Sequence, residues 1–151
     1  MTPSTLTDAT RDAAEIARDC MASRVRRLER RLTRIYDDAL RAHGLTGSQL
    51  ALLVATQLSG KTTPAEVGRR LDLEKSTVSR NLARLAAAGL VDVSDGLRIT
   101  PRGAAAIVAC HPAWRDAQRR AREALHPREG RLIAGLPGHF SRPPSQERTT
   151  P

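Results

Sequence analysis

Residues 63–103 read TPAEVGRRLDLEKSTVSRNLARLAAAGLVDVSDGLRITPRG. Their punctuation predicts two short helices at a tight turn, then a small β-hairpin. Thr63 stands before Pro64, with Glu66 three positions on. A hydroxyl at the N-cap serves an orphan N–H, a glutamate at the third helical position reaches back, and proline at the first position gives up an N–H that has no helical partner. Val67 and Leu71 are spaced to face inward. A sharp turn at Asp72 and Leu73 leads to Glu74, whose charge suits a helix N-terminus. The second helix runs from about Lys75 to Ala88, and Gly89 ends it with a left-handed cap.

The hairpin register follows from the apolar pattern. Val91, Val93, Leu97 and Ile99 are apolar, whereas Asp92, Ser94, Arg98 and Thr100 are polar. A two-residue loop at Asp95 and Gly96 would mix the two faces. A three-residue loop, Ser94-Asp95-Gly96, sets Val93 against Leu97, Val91 against Ile99 and Asp92 against Arg98. It also puts Gly96 at the left-handed position such loops require.

Two helices at a turn beside a hairpin form the layout of a DNA reader, in which one helix braces on the backbone and the other enters the major groove. On a helical wheel Val78, Leu82 and Leu85 cluster on one side of the second helix. Ser76, Arg80, Ala83 and Arg84 point away, with Thr77 on the flank. Arg80 has the chemistry to bridge guanine O6 and N7. Ser76 and Thr77 in the first turn suit base edges or phosphates, and Lys75 and Asn81 at the margins suit phosphates. An ordinary solvated helix face is the competing interpretation; the helix–turn–helix–hairpin order argues against it.

Composition agrees. The chain has 151 residues and a formal net charge of +9, which favours one domain and a polyanionic partner. Nearly all the positive charge is arginine, since Lys61 and Lys75 are the two lysines. Arginine excess beside alanine excess also arises from codon bias, so charge alone is a modest signal. Aromatic residues are 2 % of the chain, too few for the stacking platforms of single-strand and RNA binders, so double-stranded DNA is the expected partner. Cys20 and Cys110 are too far apart to suggest a disulfide framework. There is no secretory start and no apolar run of bilayer length. The expectation is a soluble cytoplasmic protein with no membrane partner.

Outward from the reader, residues 8–43 hold no proline and no internal glycine, and apolar residues recur from Ala13 to Ala39 at helical spacing. One long helix is expected, with Arg24, Arg26, Arg27, Arg30, Arg31 and Arg34 over the rest of its surface. Its apolar stripe is too long for a small domain to cover, which points to a second subunit. Gly44 closes it, Thr46 and Gln49 open the next helix with a capping box, and Gly60 stops that one. Thr100 and Pro101 start another long helix, which Pro112 should kink and His126-Pro127 should break. A short helix around 128–136 follows, and from residue 137 the composition reads as a disordered tail.

The segments RLERRLTRIYDDALRAHGLTGSQLALLVA, TPAEVGRRLDLEKSTVSRNLARLAAAGLV and LRITPRGAA resemble the MarR family of winged helix-turn-helix transcriptional regulators. The resemblance covers about residues 15–125. It implies a mainly α fold with a two-stranded hairpin: a dimerisation helix over 1–45, a winged-helix lobe over 46–103, dimerisation helices over 104–136 and a tail over 137–151. It further implies a homodimer whose lobes each read half of a palindrome, and a repressor modulated by a small ligand or oxidant is the expected function. Carried over by position, Ser76, Thr77, Arg80 and Asn81 would face the major groove, and Lys61 and Thr63 would approach phosphates. Arg84 and Arg98 complete the candidate DNA-binding set.

One departure stands out. Family members usually carry a longer wing with an Asp-Arg pair at its tip, where the arginine enters the minor groove. Here VDVSDGLRIT turns after three residues and has no arginine at the tip; Arg98 is expected to face Asp92. A divergent dimer that has lost specific DNA binding, and acts as a ligand-binding or protein-interaction module, is therefore the alternative. The resemblance also implies a pocket for an aromatic anion, with Arg34, Tyr36 and Trp114 as candidate lining residues. Cys20 is the candidate redox sensor, against the simpler role of a small buried hydrophobe. Cys110 is expected to be a packing residue. The four histidines show no metal spacing, and no catalytic constellation, metal site or cofactor motif is expected.

Overall fold

The computed structural model describes residues 3–138. The expected tail, apart from Pro137 and Gly138, lies outside the described residues. The elements in order are α1 (Pro3–Asp19), α2 (Met21–Leu40), a 3-10 turn (Arg41–His43), α3 (Gly47–Ser59), α4 (Pro64–Arg70), α5 (Lys75–Ala87), β1 (Val91–Asp92), β2 (Arg98–Ile99), α6 (Pro101–Ala124) and α7 (Pro127–Ala134). The chain divides into two units between Ile35 and Tyr36.

The single helix expected over 8–43 is interrupted at Cys20, and its far end tightens into the 3-10 turn. Backbone bonds still bridge the interruption, from Cys20 N–H to the Ile16 carbonyl and from Arg24 N–H to the Cys20 carbonyl. The Arg24 guanidinium donates to the Arg18 carbonyl at 2.7 Å. A side chain bonded into the carbonyl ladder is a recognised cause of a local helix break.

In the second unit the capping chemistry predicts the helix starts. Thr46 accepts from Gln49 N–H, and Gln49 Oε1 accepts from Thr46 N–H. Thr63 and Glu66 repeat the exchange, with Pro64 in the first turn. Thr100 accepts from Gly103 N–H at the start of α6. Gly44, Gly60 and Gly89 close their elements with positive φ. The core joins α3, α4, α5, the hairpin and the first half of α6 around Leu52, Leu53, Val67, Leu85, Leu97 and Cys110, each almost wholly buried. Cys110 is thus the expected packing residue, and burial pushes its thiol pKa up. Pro112 lies within α6, which continues through it to Ala124.

The hairpin pairs antiparallel as read from the sequence, Val91 with Ile99 and Asp92 with Arg98. The expected Val93–Leu97 pair is replaced. Leu97 instead pairs with Thr62 in an isolated antiparallel bridge, with N–H to carbonyl bonds of 3.0 and 2.8 Å. Leu97 is fully buried by this arrangement while Val93 is half exposed. The hydrophobic drive to bury one leucine outweighs regular pairing at the loop.

Candidate nucleic-acid interface

The interface is built by α4, α5 and the segments beside them. Helix α5 docks through Val78, Leu82 and Leu85, all buried. Gly68 of α4 makes the crossing close: a Cβ there would lie 3.1 Å from Val78 Cγ2. The turn between the helices holds Asp72 at φ 53, the one non-glycine residue with positive φ among the described residues. Aspartate tolerates this region better than most residues because its short side chain bonds locally.

The predicted outward face is present. Lys75, Ser76, Arg80, Ala83 and Arg84 are exposed, and Thr77 and Asn81 are half-buried. Among the described residues neither Lys75, Arg80 nor Arg84 has a carboxylate partner, so their donors are open to an incoming anion. Asn81 is partly committed, since its Nδ2 donates to the Thr77 carbonyl at 3.0 Å on its own helix. Glu74 precedes α5 without forming a capping bond.

The flanking candidates are engaged differently. The Thr63 hydroxyl both accepts from Glu66 N–H and donates to Glu66 Oε2, and Thr62 donates to the same oxygen at 2.8 Å. These bonds, that of Thr62 first, hold the Glu66 carboxyl below its ordinary pKa. Lys61 Nζ lies 2.8 Å from Asp95 Oδ2 at the wing tip. Arg98 lies 3.7 Å from Asp95 and 4.0 Å from Asp92. Asp92 in turn accepts from Ser94 Oγ at 2.7 Å and Ser94 N–H at 2.9 Å, bonds that lower its pKa. The wing thus presents an acidic tip that binds two of the cations expected to meet DNA. Sequence alone does not mark Asp95 for this role: its partner Lys61 is remote in the chain, and no local pattern links the pair.

A groove of about 650 Å³ opens at the other end of α5. Its lining includes the apolar Leu45, Leu85 and Leu90 together with His43, Arg84 and Arg102. Two guanidinium groups in a partly apolar lining suit a small planar anion. Arg34, Tyr36 and Trp114, the residues expected to line such a pocket, do not line this groove. Tyr36 is partly buried and its pKa is raised by burial; Trp114 stacks on His111 with ring centroids 5.7 Å apart.

Cys20 sits at the helix break, half-buried. Hydrogen bonds from Ser23, side chain first and then backbone, lower its thiol pKa. No group of three histidine, cysteine or acidic side chains among the described residues is placed to hold a metal ion. No described helix is long and apolar enough to cross a membrane.

A family model described as MarR family matches residues 43–96. The chain is similar to the crystal structure of the Mycobacterium tuberculosis transcriptional regulator MosR, with 33% identity, 77% of this chain and 91% of that chain covered, and a TM-score of 0.68. A probable transcriptional regulator from Pseudomonas aeruginosa is 26% identical, with coverages of 80% and 96% and a TM-score of 0.67. Bordetella bronchiseptica BpsR, whose DNA binding is regulated by 6-hydroxynicotinic acid, is 24% identical, with coverages of 77% and 90% and a TM-score of 0.67. No curated protein matches the chain.

Proposed function

The chain belongs to the MarR family of winged helix-turn-helix transcriptional regulators, and from that premise we propose that it is a homodimeric repressor reading a palindromic operator through the major groove. The observation that carries this reading is the split of α5: Val78, Leu82 and Leu85 dock it, while Ser76 and Arg80 face outward, and Arg80 has no carboxylate partner among the described residues. Arg80 is the base reader, and Ser76 and Thr77 support it in the first turn. Lys75 and Arg84 meet phosphates. Lys61, Thr63, Asn81 and Arg98 contribute less, because their polar groups already have partners within the chain.

The dimer reading is supported by the open apolar surface of the first unit, where Ile16, Met21 and Val25 are more than half exposed. The division into a dimerisation segment, a reading lobe and further dimerisation helices follows from the same reading. An aromatic acid held by Arg84 and Arg102 over Leu85 and Leu90 is the proposed effector, and BpsR is a precedent for such a ligand. Because Arg84 and Leu85 belong to the reading helix, occupancy of the groove bears directly on its position. Cys20 is the proposed redox site, favoured as thiolate by Ser23.

The test is retardation of DNA fragments from around the protein's own gene, with and without salicylate as a probe acid. The expected result is a discrete complex on one palindromic fragment, weakened by the acid in the intact protein and unaffected by it in Arg102→Ala. A second reading, a dimer that has lost specific binding, is favoured by the acidic wing tip at Asp95. Retention that is weak and blind to sequence across all fragments would establish that reading instead.

A further inference from the structure

Helix α2 carries six arginines in eleven positions, Arg24, Arg26, Arg27, Arg30, Arg31 and Arg34, with Glu29 as the one acid among them. At about 100° per residue they fall within one arc of ~160°. Met21, Val25, Leu28, Leu32 and Ile35 fall on the opposite side. All six arginines are exposed.

Four of the six have no carboxylate partner among the described residues, whereas Arg24 lies 4.0 Å from Asp19. In α1, Arg11 reaches Asp8 and Asp12, and Arg18 reaches Asp19. In α6, Arg119 pairs with Asp116 and Glu123, and Arg120 pairs with Asp116. In α2, Glu29 instead accepts from Thr33 at 2.8 Å. Arg26, Arg27, Arg30 and Arg34 have no carboxylate partner among the described residues. Arg26–Arg30, Arg27–Arg31 and Arg30–Arg34 are like-charge neighbours one turn apart, an arrangement that weakens an isolated helix. The next acids along the helix are also taken, Asp37 by Gly47 N–H and Asp38 by Arg41.

We propose that the arginine face of α2 is a second DNA-binding surface, which grips duplex phosphates without reading sequence. The face holds one charge per about 2.5 Å over its ~15 Å length, between the one charge per ~1.7 Å of a DNA duplex and the ~3.4 Å of one of its strands. Guanidinium groups suit phosphate oxygens, and the face carries no aromatic residue to stack unpaired bases. Its self-repulsion is relieved when phosphates replace the missing carboxylates. The surface is independent of the reading helix, so it stands whether or not α5 recognises an operator.

The test measures binding of the full chain to a random-sequence duplex over a salt series. The quadruple variant Arg26→Gln, Arg27→Gln, Arg30→Gln, Arg34→Gln is compared with the corresponding four Arg→Lys changes. The glutamine variant should show a salt slope shallower by about 0.9 for each arginine that meets a phosphate, hence by about 2 to 4 per chain, and the lysine variant should keep most of the slope. Helix content and oligomeric mass should match the parent in both. Arg80→Ala should leave this slope component intact, which separates failure of the second surface from failure of the reading helix. An unchanged slope in the correctly folded glutamine variant overturns the proposal. So does a loss confined to vesicles of anionic phospholipid, which would make the face a membrane surface.

Discussion

Lys61 Nζ and Asp95 Oδ2 lie 2.8 Å apart, joining the segment before α4 to the wing tip. Both side chains are more than half exposed, so the pair adds little stability. Its consequence is for binding. Asp95 takes the place a phosphate oxygen would occupy against Lys61, and it draws Arg98 as well. Asp95→Asn should therefore raise affinity for duplex DNA and steepen the salt dependence by about 1 to 2 units, as each released cation meets a phosphate. Fluorescence anisotropy over a salt series checks this. Weaker binding by Asp95→Asn would mean that the ion pair orders the wing for contact.

Arg80 is the proposed base reader. Arg80→Ala should cost about 1 to 3 kcal/mol on the cognate operator and relax the preference at one base pair in each half-site. Its thermal midpoint should stay near that of the parent, because the side chain is exposed and has no carboxylate partner among the described residues. Specific affinity that survives the change would assign base reading to Ser76 or Thr77.

Gly103 is a packing requirement. A Cβ at this position would lie 2.0 Å from the Leu90 carbonyl oxygen and 2.8 Å from Ile99 Cγ1. Backbone at that distance must move, so Gly103→Ala should destabilise the fold by at least the ~1–3 kcal/mol typical of overpacking. The chemical-denaturation midpoint reads this directly. A midpoint equal to the parent's would show that α6 can slide off the wing at no cost.

Acid sensitivity should trace in part to Glu66. Its folded pKa is depressed by Thr62 and Thr63, so its contribution is present above the ordinary glutamate pKa and is lost as pH falls through the lower folded value. Asp92, depressed by Ser94, acts with the same sign. Denaturation midpoints should fall for the parent as the solution is acidified through this range. Glu66→Gln should begin lower and lose less over the same interval. An equal pH dependence in the two proteins would place the acid-labile bonds elsewhere.

What the sequence made legible was local. Thr46 with Gln49, Thr63 with Glu66, and Thr100 before Pro101 each mark a helix start within four residues, and all three form as read. Val91–Ile99 and Asp92–Arg98 follow from alternation around one turn. The spacing of Val78, Leu82 and Leu85 located the buried side of α5. What escaped depends on residues distant in the chain. Leu97 leaves Val93 for Thr62, a partner that no periodicity identifies. The groove gathers His43, Arg84 and Arg102 from three separate elements. The interruption at Cys20 escaped for another reason: it accompanies a guanidinium bonded to a carbonyl, without glycine or proline to signal it.

The Thr62–Leu97 bridge also bears on how the lobe assembles. Every residue of α4, the turn, α5 and β1 lies between its two ends, so its paired hydrogen bonds close a loop around the whole reading motif. Local helices form before contacts that must wait for a long loop to close. The bridge is accordingly a late clasp. The expected order is that the two helices take shape first and the bridge closes after them, tying the wing to the segment before α4.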